Sequence, residues 1–258
     1  MNWSTVNSRI IGLRQDLAKG QYSLGSWLQI PSVVSAGIMA QNKFDWIVVD
    51  QEHGSISGSE LQGMCQAIRG RSCLPFVRVA EPDPRLGKLA LEAGAVGLII
   101  PNLTSAAEFK LFANSCLYPP HGARGVGFSA GNDYGTALST QLDSDWKPFL
   151  VPMIENKRIV KNLSDLLNQP YLDAIFIGPY DLSASLGVTG QFDNKVFIKI
   201  LENVRHKAAE ASIPVGIHVV SPSVQQVRQR IEEGFKFIAY SLDTVLLDVS
   251  DVLEQIRS

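Results

Sequence analysis

"PVGIHVVSPSVQQVRQRIEEGFKFIAYSLD", residues 214–243, decides the fold. Its first seven residues are an apolar run of strand length, too short for a buried helix. "VQQVRQRIEEG" (224–234) then spaces Val224, Val227 and Ile231 along one helical face. It ends in a glycine, the residue a left-handed C-cap favours. A second apolar run, "FIAYSLD" (237–243), begins three residues later. A strand that returns through a helix to another strand makes a parallel pair, buried on both faces.

The same unit recurs along the chain. Apolar runs stand at 23–30, 45–50, 74–79, 96–101, 149–155 and 174–179, besides the two above. Amphipathic segments such as "SELQGMCQAIRG" (59–70) and "PRLGKLALEAG" (84–94) separate them. Eight βα units after one leading helix predict a single-domain (β/α)₈ TIM barrel over residues 1–258. The rival, a doubly wound open sheet, calls for a glycine-rich phosphate loop after its first strand, whereas this chain has "PSVVSAG" there. One long insertion after strand 4, residues 117–148, is rich in Gly and Pro and reads as a βα loop at the functional mouth. "GVGFSA" within it matches a dinucleotide fingerprint only in letters, since "PPHGAR" rather than a strand precedes it.

Composition removes several function classes. Charged residues make up 19% and the formal net charge is −2, which argues against nucleic acid or an anionic membrane as partner. No apolar run approaches a membrane span, and "MNWSTVNSRIIGLRQDLAKG" is not patterned as a signal peptide. Cys65, Cys73 and Cys116 are odd in number and lack C-x-x-C spacing, which suits a reducing cytoplasm and packed thiols.

In a barrel, the C-terminal ends of all strands share one mouth. Strand 2 brings Asp50, Glu52 and His53 there, strand 3 Arg78, strand 5 Glu155, and the turn after strand 6 Asp181. Strands 7 and 8 add His218 and Asp243. Two carboxylates on neighbouring strands, Glu155 and Asp181, suit a hard dication (Mg²⁺, Mn²⁺ or Co²⁺) that keeps other positions for water and a 2-keto acid. Arg78 would supply a fixed charge beside the substrate oxygens, and His53 a proton acceptor near neutral pH. Each also has a plainer use. Asp181 could cap a helix, Glu155 could pair with Lys157 or Arg158, and His53 could be a solvated loop residue. His218, in an apolar run, suits packing as well as chemistry, and Arg124 suits either an anionic acceptor group or a structural ion pair. No lysine ends a strand, which disfavours Schiff-base chemistry.

"VVDQEHG" (48–54), "FVRV" (76–79) followed by "DP", "YPPHGARGVG" (118–127), "MIE" (153–155), "FIGPYDLSASLG" (176–187) and "YSLDT" (240–244) resemble the metal-dependent HpcH/HpaI aldolases. The resemblance implies a barrel lyase that makes or cleaves 4-hydroxy-2-oxo acids, with pyruvate and an aldehyde as partners, through an enolate at the metal. It also implies a hexamer that exchanges a C-terminal helix. By motif it assigns His53 to acid–base work, Arg78 to the enolate, Glu155 and Asp181 to the metal, and the backbone at Gly178 and Tyr180 to the substrate carboxylate. Glu92 stands where the family commonly has the Asp that raises the histidine's basicity. Met153 replaces a frequent Gln two residues before the metal-binding Glu, and cannot donate its hydrogen bond. A condensing enzyme that uses a 2-keto acid such as oxaloacetate as electrophile toward an acyl-CoA enolate is the alternative. A non-catalytic ketoacid-binding barrel is a further one.

Overall fold

The computed structural model describes residues 1–143 and 146–257. Eight parallel strands close into one barrel in chain order: β1 (Ser23–Leu28), β2 (Trp46–Asp50), β3 (Leu74–Arg78), β4 (Gly97–Ile100), β5 (Phe149–Ile154), β6 (Ile175–Ile177), β7 (Val215–Val219) and β8 (Phe237–Leu242). The first helices are α1 (Trp3–Ala18), α2 (Val33–Met39), α3 (Gly58–Gly70), α4 (Pro84–Glu92), α5 (Ala106–Cys116) and α6 (Leu138–Asp143). After β5 come α7 (Lys157–Lys161), α8 (Leu163–Leu167), α9 (Pro179–Ser185), α10 (Lys195–Glu210), α11 (Val224–Glu232), α12 (Asp243–Leu246) and α13 (Ser250–Arg257). Each strand lies inside the apolar run that predicts it. No helix among the described residues is long and apolar enough to cross a membrane.

Glycine and aromatic residues fill the barrel as complementary pieces. Gly97 stands in register with Phe76 and Phe149, Gly216 with Phe176 and Phe237, and Gly25 with Trp46. A Cβ on any of the three would fall within 2.6 Å of a neighbouring ring. The space so freed lets Trp46 and Phe237 stack with centroids 4.0 Å apart, and Phe149 lie 5.6 Å from Phe237. Helix α1 lies across the N-terminal end: Arg9 donates to the Ser72 carbonyl, and Arg14 to those of Lys147 and Pro148 and to Asp173. These acceptors sit just before β3, β5 and β6, so the barrel is closed below. All three cysteines are buried and free, their thiols pushed up to about 12 by burial.

The insertion differs from its expected place. Helix α5, capped by Ser105, intervenes after β4, so residues 117–148 belong to the connection entering β5 rather than to a loop leaving β4 at the mouth. Residues 144 and 145 of it lie outside the described residues. Its Tyr134 hydroxyl accepts from Gln62, Asp133 pairs with Arg69, and Trp146 meets Trp3 edge-on at 5.7 Å. The insertion therefore packs on α3 and beneath the barrel.

Candidate active site

Strand β2 ends on a buried carboxylate because that carboxylate has a dedicated partner. Asp50 is 0% exposed and holds Arg78 in a two-point fork, Nε to Oδ1 at 2.8 Å and Nη2 to Oδ2 at 2.6 Å. Gln29 donates to Oδ2, and the backbone N–H groups of Glu52 and His53 donate to Oδ1. Burial alone would raise the Asp50 carboxyl, but the hydrogen bonds and charge of Arg78 outweigh it and hold it below the ordinary carboxylate range. Arg78 Nη1 lies 2.9 Å from Glu52 Oε2, an ion-pair distance without hydrogen-bond alignment. Gly54 lets the turn close, since a Cβ there would stand 2.3 Å from the Asp50 carbonyl.

Glu155 directly follows β5, is 2% exposed and accepts from the backbone N–H of Asn102 at 2.8 Å. Burial pushes its carboxyl up to about 7, and the charges of Glu52 and Asp181 add to the shift. Asp181, in the first turn of α9, is exposed. A buried carboxylate beside two others is a poor place for a lone negative charge and a good one for a divalent cation. Glu155 and Asp181 thus fit a hard dication through oxygen donors. Among the described residues no group of three or more His, Cys, Asp or Glu side chains could hold a metal, so water or substrate would fill the other positions.

Gly178 supports that arrangement by size. A Cβ there would meet Cγ and Oε1 of Glu155 at 2.7 Å, while its φ of −100° suits any residue. Gly178→Ala is therefore expected to displace the Glu155 carboxylate and weaken Mn²⁺ binding by about 10–100-fold. Calorimetric titration reads the change; unaltered affinity would mean that Glu155, as placed here, is not the ligand.

One cavity of about 490 Å³ is lined by His53, Arg78, Glu155, Gly178, Tyr180 and Asp181 together with Met153. Six of the seven residues expected at the site thus share it, and Glu92 does not. Glu92 ends α4, just before β4 begins, and so lies at the far end of the barrel. Its Oε1 accepts from Nε and Nη2 of Arg124 at 3.3 and 3.1 Å. Arg124 is 2% exposed and lies 4.6 Å from the centroid of the Tyr118 ring. Of its two readings, the structural ion pair is the one observed. The Gly178 N–H is occupied by the Ile154 carbonyl at 3.3 Å.

Asp243 proves to be a clip: it accepts from the N–H groups of Gln29, Ile30 and Thr244 and ties β8 to the end of β1. His218 Nε2 bonds the Ser241 carbonyl at 2.8 Å, which fixes that nitrogen as the protonated one, and the ring stacks on Trp27 at 5.1 Å. Burial lowers its pKa to about 4. The unfolded chain therefore takes up this proton before the fold does. Stability is complete above about pH 6.5 and falls as pH drops toward 4, by at most about 3 kcal/mol. His218→Gln should flatten that part of the pH–stability curve, measured by urea unfolding between pH 7 and 4; an unchanged curve would place the acid sensitivity elsewhere.

Two contributors escaped the sequence reading. Asn102, at φ 54°, turns its N–H to Glu155 and its side-chain amide to Glu52 Oε1 at 3.2 Å. Gln29 supports Asp50. Both lie within two residues of a strand's C-terminal end, the one positional signal that could have marked them.

A closed parallel barrel whose mouth gathers an arginine, a histidine and carboxylates is the architecture of a barrel enzyme. The HpcH/HpaI aldolase/citrate lyase model matches residues 24–248. A 2-keto-3-deoxy-L-rhamnonate aldolase of Shigella sonnei (strain Ss046) is 31% identical over 244 residues, covering 94% of this chain and 90% of its own. A crystal structure of an HpcH/HpaI aldolase/citrate lyase family protein from Burkholderia cenocepacia J2315 is 27% identical. It superposes with a TM-score of 0.88 over 96% of this chain and 99% of that one. An HpcH/HpaI aldolase from Desulfitobacterium hafniense DCB-2, 24% identical, shares the fold with a TM-score of 0.87, over 95% and 96% of the two chains. The chain belongs to the HpcH/HpaI aldolase/citrate lyase family. It is a carbon–carbon lyase.

Proposed function

We propose that this lyase is a divalent-metal-dependent aldolase that cleaves and forms 4-hydroxy-2-oxo acids through the enolate of pyruvate. The observation that carries the reading is the convergence of the Arg78 fork, the buried Glu155 and the exposed His53 and Asp181 on one cavity. The relative from Shigella sonnei, named for a 2-keto-3-deoxy acid, supports a substrate of this type.

In cleavage, the bond between C3 and C4 breaks while the C4 hydroxyl loses its proton to His53. The bond pair passes through C3 and C2 to the oxygen at C2. A divalent cation held by Glu155 and Asp181 would supply Lewis-acid stabilisation of that charge. Asp50 occupies the Nε–H and one Nη2–H of Arg78, and Glu52 faces Nη1. A guanidinium has five N–H bonds, so three remain, one of them near Glu52, for the C2 oxygen and the carboxylate of the keto acid. The proton taken by His53, delivered to C3 directly or through a water, then completes pyruvate and restores the base. The Tyr180 N–H, in the first turn of α9 where no helical acceptor exists, is the backbone donor assigned to the substrate carboxylate. A hexamer is part of the proposal. Val252 and Ile256, one helical turn apart and exposed on α13, offer an apolar edge for the exchanged helix.

The test is exchange of pyruvate methyl protons with D₂O, followed by NMR with and without Mn²⁺. Metal-dependent exchange without any aldehyde supports the enolate. Absence of exchange, with a product formed from oxaloacetate only when acetyl-CoA is present, would overturn pyruvate as donor and leave the condensing reaction. Met153, buried in the cavity lining and itself without an amide to donate, keeps that second reading in view.

A further inference from the structure

The cavity has a second character beyond its charged cluster. Tyr180, next to Asp181, meets Phe192 edge-on with centroids 5.0 Å apart, and Phe192 tilts onto Phe197 at 5.6 Å. All three line the same cavity, with Leu201 and Val220 continuing the apolar surface. Phe197 is buried, but Phe192 keeps 37% and Tyr180 63% of its surface exposed. Singly exposed aromatic residues need no explanation, but a continuous aromatic wall that runs from a proposed metal ligand into a cavity does.

The wall is held in place. Ser183 is fully buried; its hydroxyl donates to the Tyr180 carbonyl at 2.8 Å and accepts from the Gly190 N–H at 3.0 Å. Gly187 and Gly190, at φ 79° and 70°, provide the left-handed turns that bring Phe192 back toward α9. The helix that carries Asp181 thus also fixes the ring of Phe192. The remaining cation on this side, Arg230, is paired: its Nη1 bonds Glu233 Oε2 at 2.6 Å. The rings themselves present apolar area, while Ser221 and Gln226 line the cavity beside Arg230.

We infer that this wall is the acceptor subsite, and that it selects a neutral aldehyde with an apolar body, aryl or branched alkyl, over hydroxylated or anionic aldehydes. The inference rests on the aldolase reading, with pyruvate as donor. A hydroxylated chain would give up water against the rings and gain no partner from them, whereas a methylene or ring in such a pocket raises kcat/KM by about 10-fold or more.

The experiment measures kcat/KM for aldol addition of pyruvate to phenylacetaldehyde, isobutyraldehyde, glycolaldehyde and succinic semialdehyde, using the full-length enzyme with Mn²⁺. The apolar pair should exceed the other two by at least about tenfold. Phe192→Ala should cut the ratio of phenylacetaldehyde to glycolaldehyde about tenfold, and Phe192→Leu should restore most of it for isobutyraldehyde. A ratio does not depend on the amount of folded enzyme, so a poorly folding variant still reports. Equal or better use of glycolaldehyde or the semialdehyde by the wild type, or a ratio unmoved in Phe192→Ala, would overturn the inference. If wild-type pyruvate exchanges no protons, the aldolase reading itself falls and takes this inference with it. Exchange with the wrong aldehyde preference overturns the subsite alone.

Discussion

Glu155→Gln should lower Mn²⁺-dependent proton exchange into pyruvate by about 10³-fold or more, because it removes the one buried carboxylate of the proposed cation site. Glutamine keeps the volume and an acceptor for the Asn102 N–H, so the loss cannot be put down to a cavity. The variant should also fold at least as well as the wild type without metal. Burial lifts the Glu155 carboxyl to about 7, so in the metal-free protein its contribution to stability is present below about pH 4.5 and lost as pH rises through 7. Near pH 4 the two proteins should unfold alike. Above pH 7 the variant should be the more stable, by about 3 kcal/mol at most. Undiminished exchange in Glu155→Gln would remove Glu155 from the mechanism. Lower stability at pH 8 would contradict the cost assigned to its burial.

Asp50→Ala is expected to destabilise the protein by about 3–5 kcal/mol, the usual penalty for leaving one partner of a buried ion pair alone. Arg78 would keep only the poorly aligned Glu52, and the backbone N–H groups of residues 52 and 53 would lose their shared acceptor. Loss of the fork should show in turnover too, by about 10²-fold, since an oxyanion donor about 1 Å out of place loses most of its effect. Asp50→Asn separates the two roles: it retains an oxygen for the turn but offers Arg78 no charge. It should therefore recover part of the stability and little of the turnover. Urea unfolding and saturating kinetics read both quantities. A cost below about 1 kcal/mol for Asp50→Ala would mean that solvent reaches this pair far better than its burial indicates.

The barrel was legible because each strand is a local event. An apolar run of six to eight residues bounded by glycine or a turn needs no distant partner to be recognised, and the residue after it is carried to the mouth by topology alone. That sufficed to bring His53, Arg78, Glu155 and Asp181 to one cavity. What stayed hidden depends on partners remote in sequence. Asp243 looked like a mouth carboxylate, yet its acceptor role is spent on Gln29, 214 residues earlier. Arg124 and Glu92 find each other across 32 residues, and nothing in either neighbourhood announces it. The insertion's end of the barrel is hidden because a helix that opens with "AAEFKLF" carries apolar residues on most sides, and its periodicity is weak.

The glycine–aromatic packing low in the barrel also bears on traffic. With rings filling the interior and α1 across the base, reactants have one door. Under the proposed chemistry the keto acid must reach Arg78, so it would enter before an aldehyde that stands against the outer rings and blocks the way. Cleavage would then run the queue backwards, with the aldehyde leaving first and pyruvate last. Product-inhibition kinetics should therefore be ordered, with pyruvate competitive against the cleavage substrate and the aldehyde not. A random pattern would show that the two reactants pass each other in the mouth.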